Sequence, residues 1–168
     1  MTLHRIRIAL IFLLTGLGII MQVRFGFFGA WYYFLTAAVL LATHFLFGNV
    51  WQAFSQLRRG NLLQAELMIR KNKKPAWLLR SPRAYYHFTL GMIELKKEAV
   101  DSAEEHLKKA LVAELRSPND NALAALNLSH IAFLKNDPEG GITYAKKARK
   151  FKPTDLMIQE NVRKILEK

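Results

Sequence analysis

No charged residue occurs between Arg24 and Arg58, and all 13 acidic residues lie beyond Trp51. That segregation constrains the fold more than any motif does. A helix of a soluble domain keeps one polar face, so charge recurs along it every few residues. A long window without charge, followed by a charged remainder, predicts a membrane segment joined to a polar domain. The expected division is a transmembrane helical hairpin over residues 1–47 and an all-α domain over residues 48–168. The sequence has no cysteine, which excludes disulfides and thiolate metal sites.

Two apolar runs make the hairpin. Residues 8–23 (IALIFLLTGLGIIMQV) are uncharged and lie between Arg5 and Arg7 on one side and Arg24 on the other. With Ile6 included and Arg7 snorkelling, the run reaches ~27 Å, close to a hydrocarbon core of ~30 Å. Residues 29–47 are long enough outright, and Trp31, Tyr32 and Tyr33 open them where amphipathic rings favour the headgroup level. About five residues around Gly26 separate the runs, so a tight antiparallel hairpin is expected. Thr15, Gly16 and Gly18 in the first run, and Thr36, Ala37, Ala38 and Ala42 in the second, are small enough for close packing. A cleaved signal peptide fits less well, because no small-x-small site follows the first run and a second apolar run comes at once. His44 is read as a polar anchor near the end of the second span, not as a proton relay.

The basic residues orient the hairpin. Its loop carries Arg24 alone, whereas the segment after it carries Arg58, Arg59, Arg70, Lys71, Lys73, Lys74, Arg80 and Arg83 against Glu66. The positive-inside rule places both termini in the cytoplasm, and the expected location is an inner membrane of bacterial type.

The polar domain is periodic. Residues 84–110 read as two helices with a break near residues 97–99, and Leu90, Gly91, Ala103, Leu107 and Ala110 fall where antiparallel helices touch. The same pattern recurs at a constant shift of 38 residues. Leu57, Leu95 and Phe133 correspond, as do Ala65, Ala103 and Gly141; Ile69, Leu107 and Ala145; and Asn72, Ala110 and Ala148. The turn positions Gly60, Glu98 and Asn136 keep the register. Ser81-Pro82 and Asp137-Pro138 read as helix starts. Residues 154–167 form a further amphipathic helix that caps the last pair.

This pattern resembles the tetratricopeptide repeat, a helix pair with a small residue in its first helix and two alanines in its second. Gly91, Ala103 and Ala110 carry the resemblance in the middle copy, and Ser129, Gly141 and Ala148 in the last, with Pro153 where a repeat ends. The first copy keeps Ala65 and Ile69. The family period is roughly 34 residues, so the extra length is expected in the connections at residues 71–81 and 114–120. The resemblance implies a short α-solenoid of about three helix pairs plus the capping helix, following two transmembrane helices. It also implies a concave groove lined by the first helix of each pair. Carried over by position, that groove presents Tyr85, Phe88, Met92, Leu95 and Lys96 from the middle copy. The last copy gives Leu123, Leu126, Asn127, His130 and Leu134. These are mostly apolar, which suits a hydrophobic helix or extended peptide of a protein partner; the terminal helix could also cover them.

Catalytic chemistry has no visible carrier. The five histidines show no metal-ligand spacing, and no phosphate loop, nucleophile elbow or carboxylate pair appears, so no enzyme activity, metal or cofactor is expected. The basic stretch from Arg58 to Arg83 admits three readings: a topology signal, contact with anionic headgroups of the lipid bilayer at about 1 kcal/mol per residue, or an acidic partner. Nucleic acid is disfavoured, since no recognition motif frames the nearby aromatics. The function expected is that of a membrane-anchored scaffold that binds a protein in its groove. The alternative is an accessory subunit of a membrane transport or secretion complex, packed through the hairpin.

Overall fold

The structure, a computed structural model, describes residues 2–47, 49–72 and 74–167, with side chains at these positions other than 2–5, 7 and 44–47. Gly48, where the sequence leads one to expect a bend between the second apolar run and the next helix, the basic Lys73, and the side-chain readings of Arg5, Arg7 and His44 lie outside the described residues. The chain divides into two units, Met1–Gly48 and Asn49–Lys168.

The first unit is a hairpin of α1 (Thr2–Phe25) and α2 (Phe27–Phe47). The loop is shorter than expected. Phe25, Phe27 and Phe28 stay helical, and Gly26 alone turns the chain, at φ +70°. Glycine adopts that backbone without a Cβ clash. Its N–H still donates to the Gln22 carbonyl at 3.0 Å, so α1 is hydrogen-bonded to its last residue. Gly18, Ala30 and Ala37 are buried at the seam, and a Cβ on Gly18 would stand 3.1 Å from the Phe34 ring. Thr15 and Gly16 are half-buried beside them, while Thr36, Ala38 and Ala42 face outward, exposed. The Thr15 and Thr36 hydroxyls donate to the carbonyls of Ile11 and Tyr32 at 2.8 and 2.7 Å, which leaves neither polar group unpaired on an apolar helix. Among the described residues one stretch, Ile8–Phe25, is long and apolar enough to cross a membrane; the apolar stretch of α2, Phe27–Thr43, is shorter.

The second unit holds three helix pairs and a closing helix. The pairs are α3 (Val50–Arg58) with α4 (Leu62–Ile69), α5 (Arg80–Lys96) with α6 (Val100–Ala113), and α7 (Pro118–Leu134) with α8 (Pro138–Lys150); α9 (Leu156–Leu166) follows. A 3-10 turn, Pro75–Trp77, lies between the first two pairs. Each pair packs internally, α5 packs on α3 and α4, α7 on α6, and α9 on α7 and α8. All described regular structure is helical.

The 38-residue register is written in the backbone. Gly60, Glu98 and Asn136 all adopt left-handed φ, at 80°, 62° and 58°. At each, that residue's N–H donates to the carbonyl three before it (Leu57, Leu95, Phe133). The next N–H donates to the carbonyl five before it (Gln56, Glu94, Ala132). This paired bonding satisfies the carbonyls left open at a helix C-terminus. The residues that precede α5, α7 and α9, namely Leu79, Ser117 and Asp155, follow the same register, so α9 occupies the place of a first helix in a fourth unit.

Packing follows the periodic positions. Ala65, Ala103 and Gly141 are buried, as are Ile69, Leu107 and Ala145. Gly91 lies against Leu107, where a Cβ would stand 2.8 Å from Cγ and 3.2 Å from the backbone nitrogen. Its counterpart Ser129 is buried and donates to the Gly141 carbonyl at 2.7 Å. An aromatic cluster joins the first two pairs: the Tyr85 ring is 4.6 Å from Trp51 and 4.8 Å from Phe54, and Phe88 is 6.0 Å from Phe54.

Two local expectations are corrected. Ser81 does not cap α5, which begins at Arg80 after Leu79; the Ser81 hydroxyl is buried without a partner. The chain ahead of α5 is held by Arg83, which donates to the carbonyls of Ala76 and Leu78 at 2.6 and 2.9 Å. Pro82 is tolerated because first-turn N–H groups lack intrahelical acceptors. The connection expected over residues 114–120 is also shorter, because α7 starts at Pro118 with Ser117 as its cap. The Asn121 side chain closes this bend by accepting from the Leu115 N–H at 3.0 Å and donating to its carbonyl at 2.8 Å. Asp137 caps α8 as read, accepting from the Gly140 N–H at 2.9 Å.

Replacing Glu98 with Gly should raise stability by about 1 kcal/mol, since a side chain in left-handed backbone carries a penalty of that order and Glu98 is exposed. Gly91→Ala should lower stability by about 1–3 kcal/mol through overpacking against Leu107. Denaturant unfolding followed by circular dichroism measures both.

Candidate functional site

Alternate helices of the second unit converge on one concave cleft of about 650 Å³. Phe54 and Leu57 of α3, Phe88 and Met92 of α5, Leu123 of α7 and Ile158 of α9 make its apolar surface. Arg58 and Lys96 stand at its edge near the C-termini of α3 and α5, and Asp120 and Asp155 near the N-termini of α7 and α9. These signs match the partial charges at helix ends, where cations suit the C-terminus and carboxylates the N-terminus. The Arg58 guanidinium lies 5.7 Å from the Phe54 ring centroid. Asp155 accepts from the N–H groups of Met157 and Ile158, at 2.9 and 3.4 Å. Asp120 accepts from the Tyr85 hydroxyl at 2.7 Å and thereby ties α5 to α7. Burial first, and then that bond, push the Tyr85 hydroxyl up to about 12.

The residues read as the groove divide. Phe88, Met92 and Leu123 line the cleft together with Lys96. Tyr85 and Leu126 belong to the stack, at 3% and 5% exposed, because Trp51 and Phe54 cover the tyrosine ring. Leu95 and Asn127 are half-buried outside the lining, and the Asn127 amide turns back to the Leu123 carbonyl at 2.7 Å. His130 is exposed and borders a separate depression with Phe133 and Ile142. Leu134 is exposed. Phe54 and Arg58 were not read as groove residues, yet they stand at the same register positions as Met92 and Lys96. The α9 contribution required knowing that this helix continues the register.

The basic stretch also divides. Arg70 bridges Glu66 and Glu94 at 2.8 and 2.9 Å, and Lys97 joins Glu66 at 2.6 Å. Lys97 and then Arg70 hold the Glu66 carboxyl below its usual range. Arg80 pairs with Glu114 at 2.7 Å and bonds the Ala113 carbonyl at 3.0 Å, and Arg83 binds the two carbonyls named above. These three arginines join segments of the chain. Arg59, Lys71 and Lys74 form no ion pair among the described residues, and the Lys74 ammonium lies 4.4 Å from the Trp77 ring centroid.

A second polar cluster was not legible at all. His87 of α5 and His106 of α6 bring their Nδ1 atoms to 3.1 Å, with ring centroids 5.3 Å apart and planes inclined by 28°. The nitrogens are much closer than the centroids, so the rings meet edge to edge. One Nδ1 donates and the other accepts, which requires complementary tautomers. Burial foremost, and then His106, Lys109 and Arg83, hold His87 down at about 4; burial likewise lowers His106. No group of three or more ligating side chains that could hold a metal occurs among the described residues.

Compared with known proteins, the chain matches no family model, no curated protein and no solved structure.

The histidine pair gives the fold an acid-sensitive component. An imidazole held near 4 when folded and at its ordinary 6.5 when unfolded binds more protons in the unfolded state. Its stability contribution is therefore full above pH 6.5 and declines as pH falls toward 4. Unfolding midpoints measured across that range should fall less steeply in a His87→Leu/His106→Leu double variant than in the native chain.

Proposed function

We propose that the chain is a membrane-anchored adaptor built as a short solenoid of tetratricopeptide type, which holds an apolar segment of a protein partner in its concave cleft. The observation that carries the reading is the lining of the cleft by α3, α5, α7 and α9, the helices that open each register unit. A surface assembled from equivalent helices of successive units suits an elongated ligand, because each helix offers one set of contacts along its length. Phe54, Leu57, Met92 and Leu123 suit apolar side chains of a helix or extended strand. The cations Arg58 and Lys96 and the carboxylates Asp120 and Asp155 give such a ligand a preferred direction.

In this reading α1 and α2 both span the bilayer, with the termini in the cytoplasm. The 21-residue backbone helix of α2 reaches ~31 Å at the α-helical rise, and apolar side chains such as Phe12, Val23 and Phe28 are 74%, 83% and 91% exposed. Anchoring raises the concentration of the cleft near other membrane components without any added contact. The same outward apolar face favours a second reading, in which the hairpin packs against a larger membrane protein of a transport or secretion complex.

A photo-crosslinking residue at Met92 or Leu123 should yield one discrete protein adduct in native membranes, and one at Glu105 should not. Adducts that are absent, or equal at all three positions, would count against the cleft. A Met92→Asp/Leu123→Asp variant should lose partner retention while staying in the membrane fraction; Phe88, at 2% exposed, is too buried for that test. If the partner is retained by the variant and crosslinks only from hairpin positions, the subunit reading holds.

A further inference from the structure

The first helix pair differs from the other two on the outer face of its second helix. Leu63 and Leu67 of α4 are one helical turn apart and 77% and 61% exposed. At the same register positions the second pair carries Asp101 and Glu105, and the third carries Glu139 and Thr143. All four are exposed. The repeat architecture therefore does not call for leucine here, and large apolar side chains at both of these register positions are specific to the first pair. Arg59 precedes the helix, Lys71 and Lys74 follow it, and Trp77, 58% exposed, comes next. Among the described residues these cations form no ion pair, in contrast to Arg70 and Arg80 of the same segment.

We infer that this face of α4, Leu63 and Leu67 with Arg59, Lys71, Lys74 and Trp77, lies on the surface of a bilayer containing anionic phospholipid. The inference rests on the reading of the hairpin as a membrane anchor. Apolar side chains on one helix face, flanked by lysine and arginine and an amphipathic ring, are what an interfacial helix presents: the leucines enter the headgroup–acyl boundary and the cations meet lipid phosphates. Chain continuity favours lipid over a soluble partner, since α2 ends at Phe47 and α3 begins at Val50. A membrane that holds the first holds the first helix pair within a few residues of its surface. Charge selects the lipid: Arg59, Lys71 and Lys74, which form no ion pair among the described residues, complement anionic headgroups.

The absence of cysteine allows a direct test on the full chain. Leu67→Cys, labelled with a polarity-sensitive fluorophore, is reconstituted into phosphatidylcholine vesicles with and without phosphatidylglycerol. The expected result is a blue-shifted emission, quenched by lipids spin-labelled near the headgroup, that is stronger with phosphatidylglycerol and weakened by Lys71→Gln/Lys74→Gln. Glu105→Cys, the equivalent position in the second pair, should report water in both. A label at residue 67 that behaves like the one at 105 overturns the inference, as does one that leaves water only when membrane protein extract is added. Leu13→Cys, exposed on the hairpin, separates the two failures. If it is quenched by lipids spin-labelled deep in the acyl chain while residue 67 is not, the anchor stands and this inference falls; if neither is quenched, both fall.

Discussion

One left-handed residue between paired helices sets the geometry of the whole second unit. At Gly60, Glu98 and Asn136 the chain leaves a helix through the same two hydrogen bonds and enters the next in the same direction. Everything else in the pair follows from that reversal. It brings Ala65, Ala103 and Gly141 to the seam, and the seam is close because those residues are small. Only the first of the three turns uses glycine. The other two are held in a conformation that L side chains disfavour, and the surrounding contacts supply what holds them: Leu107 against Gly91 in the second pair, and Ser129 bonded to Gly141 in the third.

Much of this was legible because period is a global signal. A constant shift over three copies averages out weak local cues, so the turns, the seam and the order of helices could be read even where the first copy departs from the pattern. Local cues were less secure. Ser81-Pro82 looks like a helix start but lies inside α5, because Arg83 fixes the preceding carbonyls and the helix begins two residues earlier, at Arg80. The five-residue hairpin loop reduced to Gly26 because a single glycine can take the left-handed backbone that reverses the chain there.

The candidate cleft was half legible. Phe88, Met92 and Leu123 followed from register, but which turn of a helix faces inward depends on neighbours that register does not specify. Trp51 and Phe54 cover Tyr85, so that residue became part of the stack and its hydroxyl a link to Asp120. The meeting of His87 and His106 was illegible for the same reason. Nineteen positions apart in sequence, they touch only once α5 and α6 are antiparallel and their rotation is fixed. Charge read from sequence was similarly ambiguous, since Arg70 and Arg59 look alike until Glu94 is placed beside one of them.

The unequal helices of the first and second pairs have a consequence for how the chain measures itself. α4 has 8 residues and α6 has 14, yet the register between units is unchanged, because the connection after α4 is longer by the same amount. What is kept constant is contour length between turns, not the amount of helix within it. The strand of chain around Pro75 therefore works as slack taken from a helix. It lets the unit nearest the hairpin carry an irregular, aromatic and basic connector while the units that follow keep their phase.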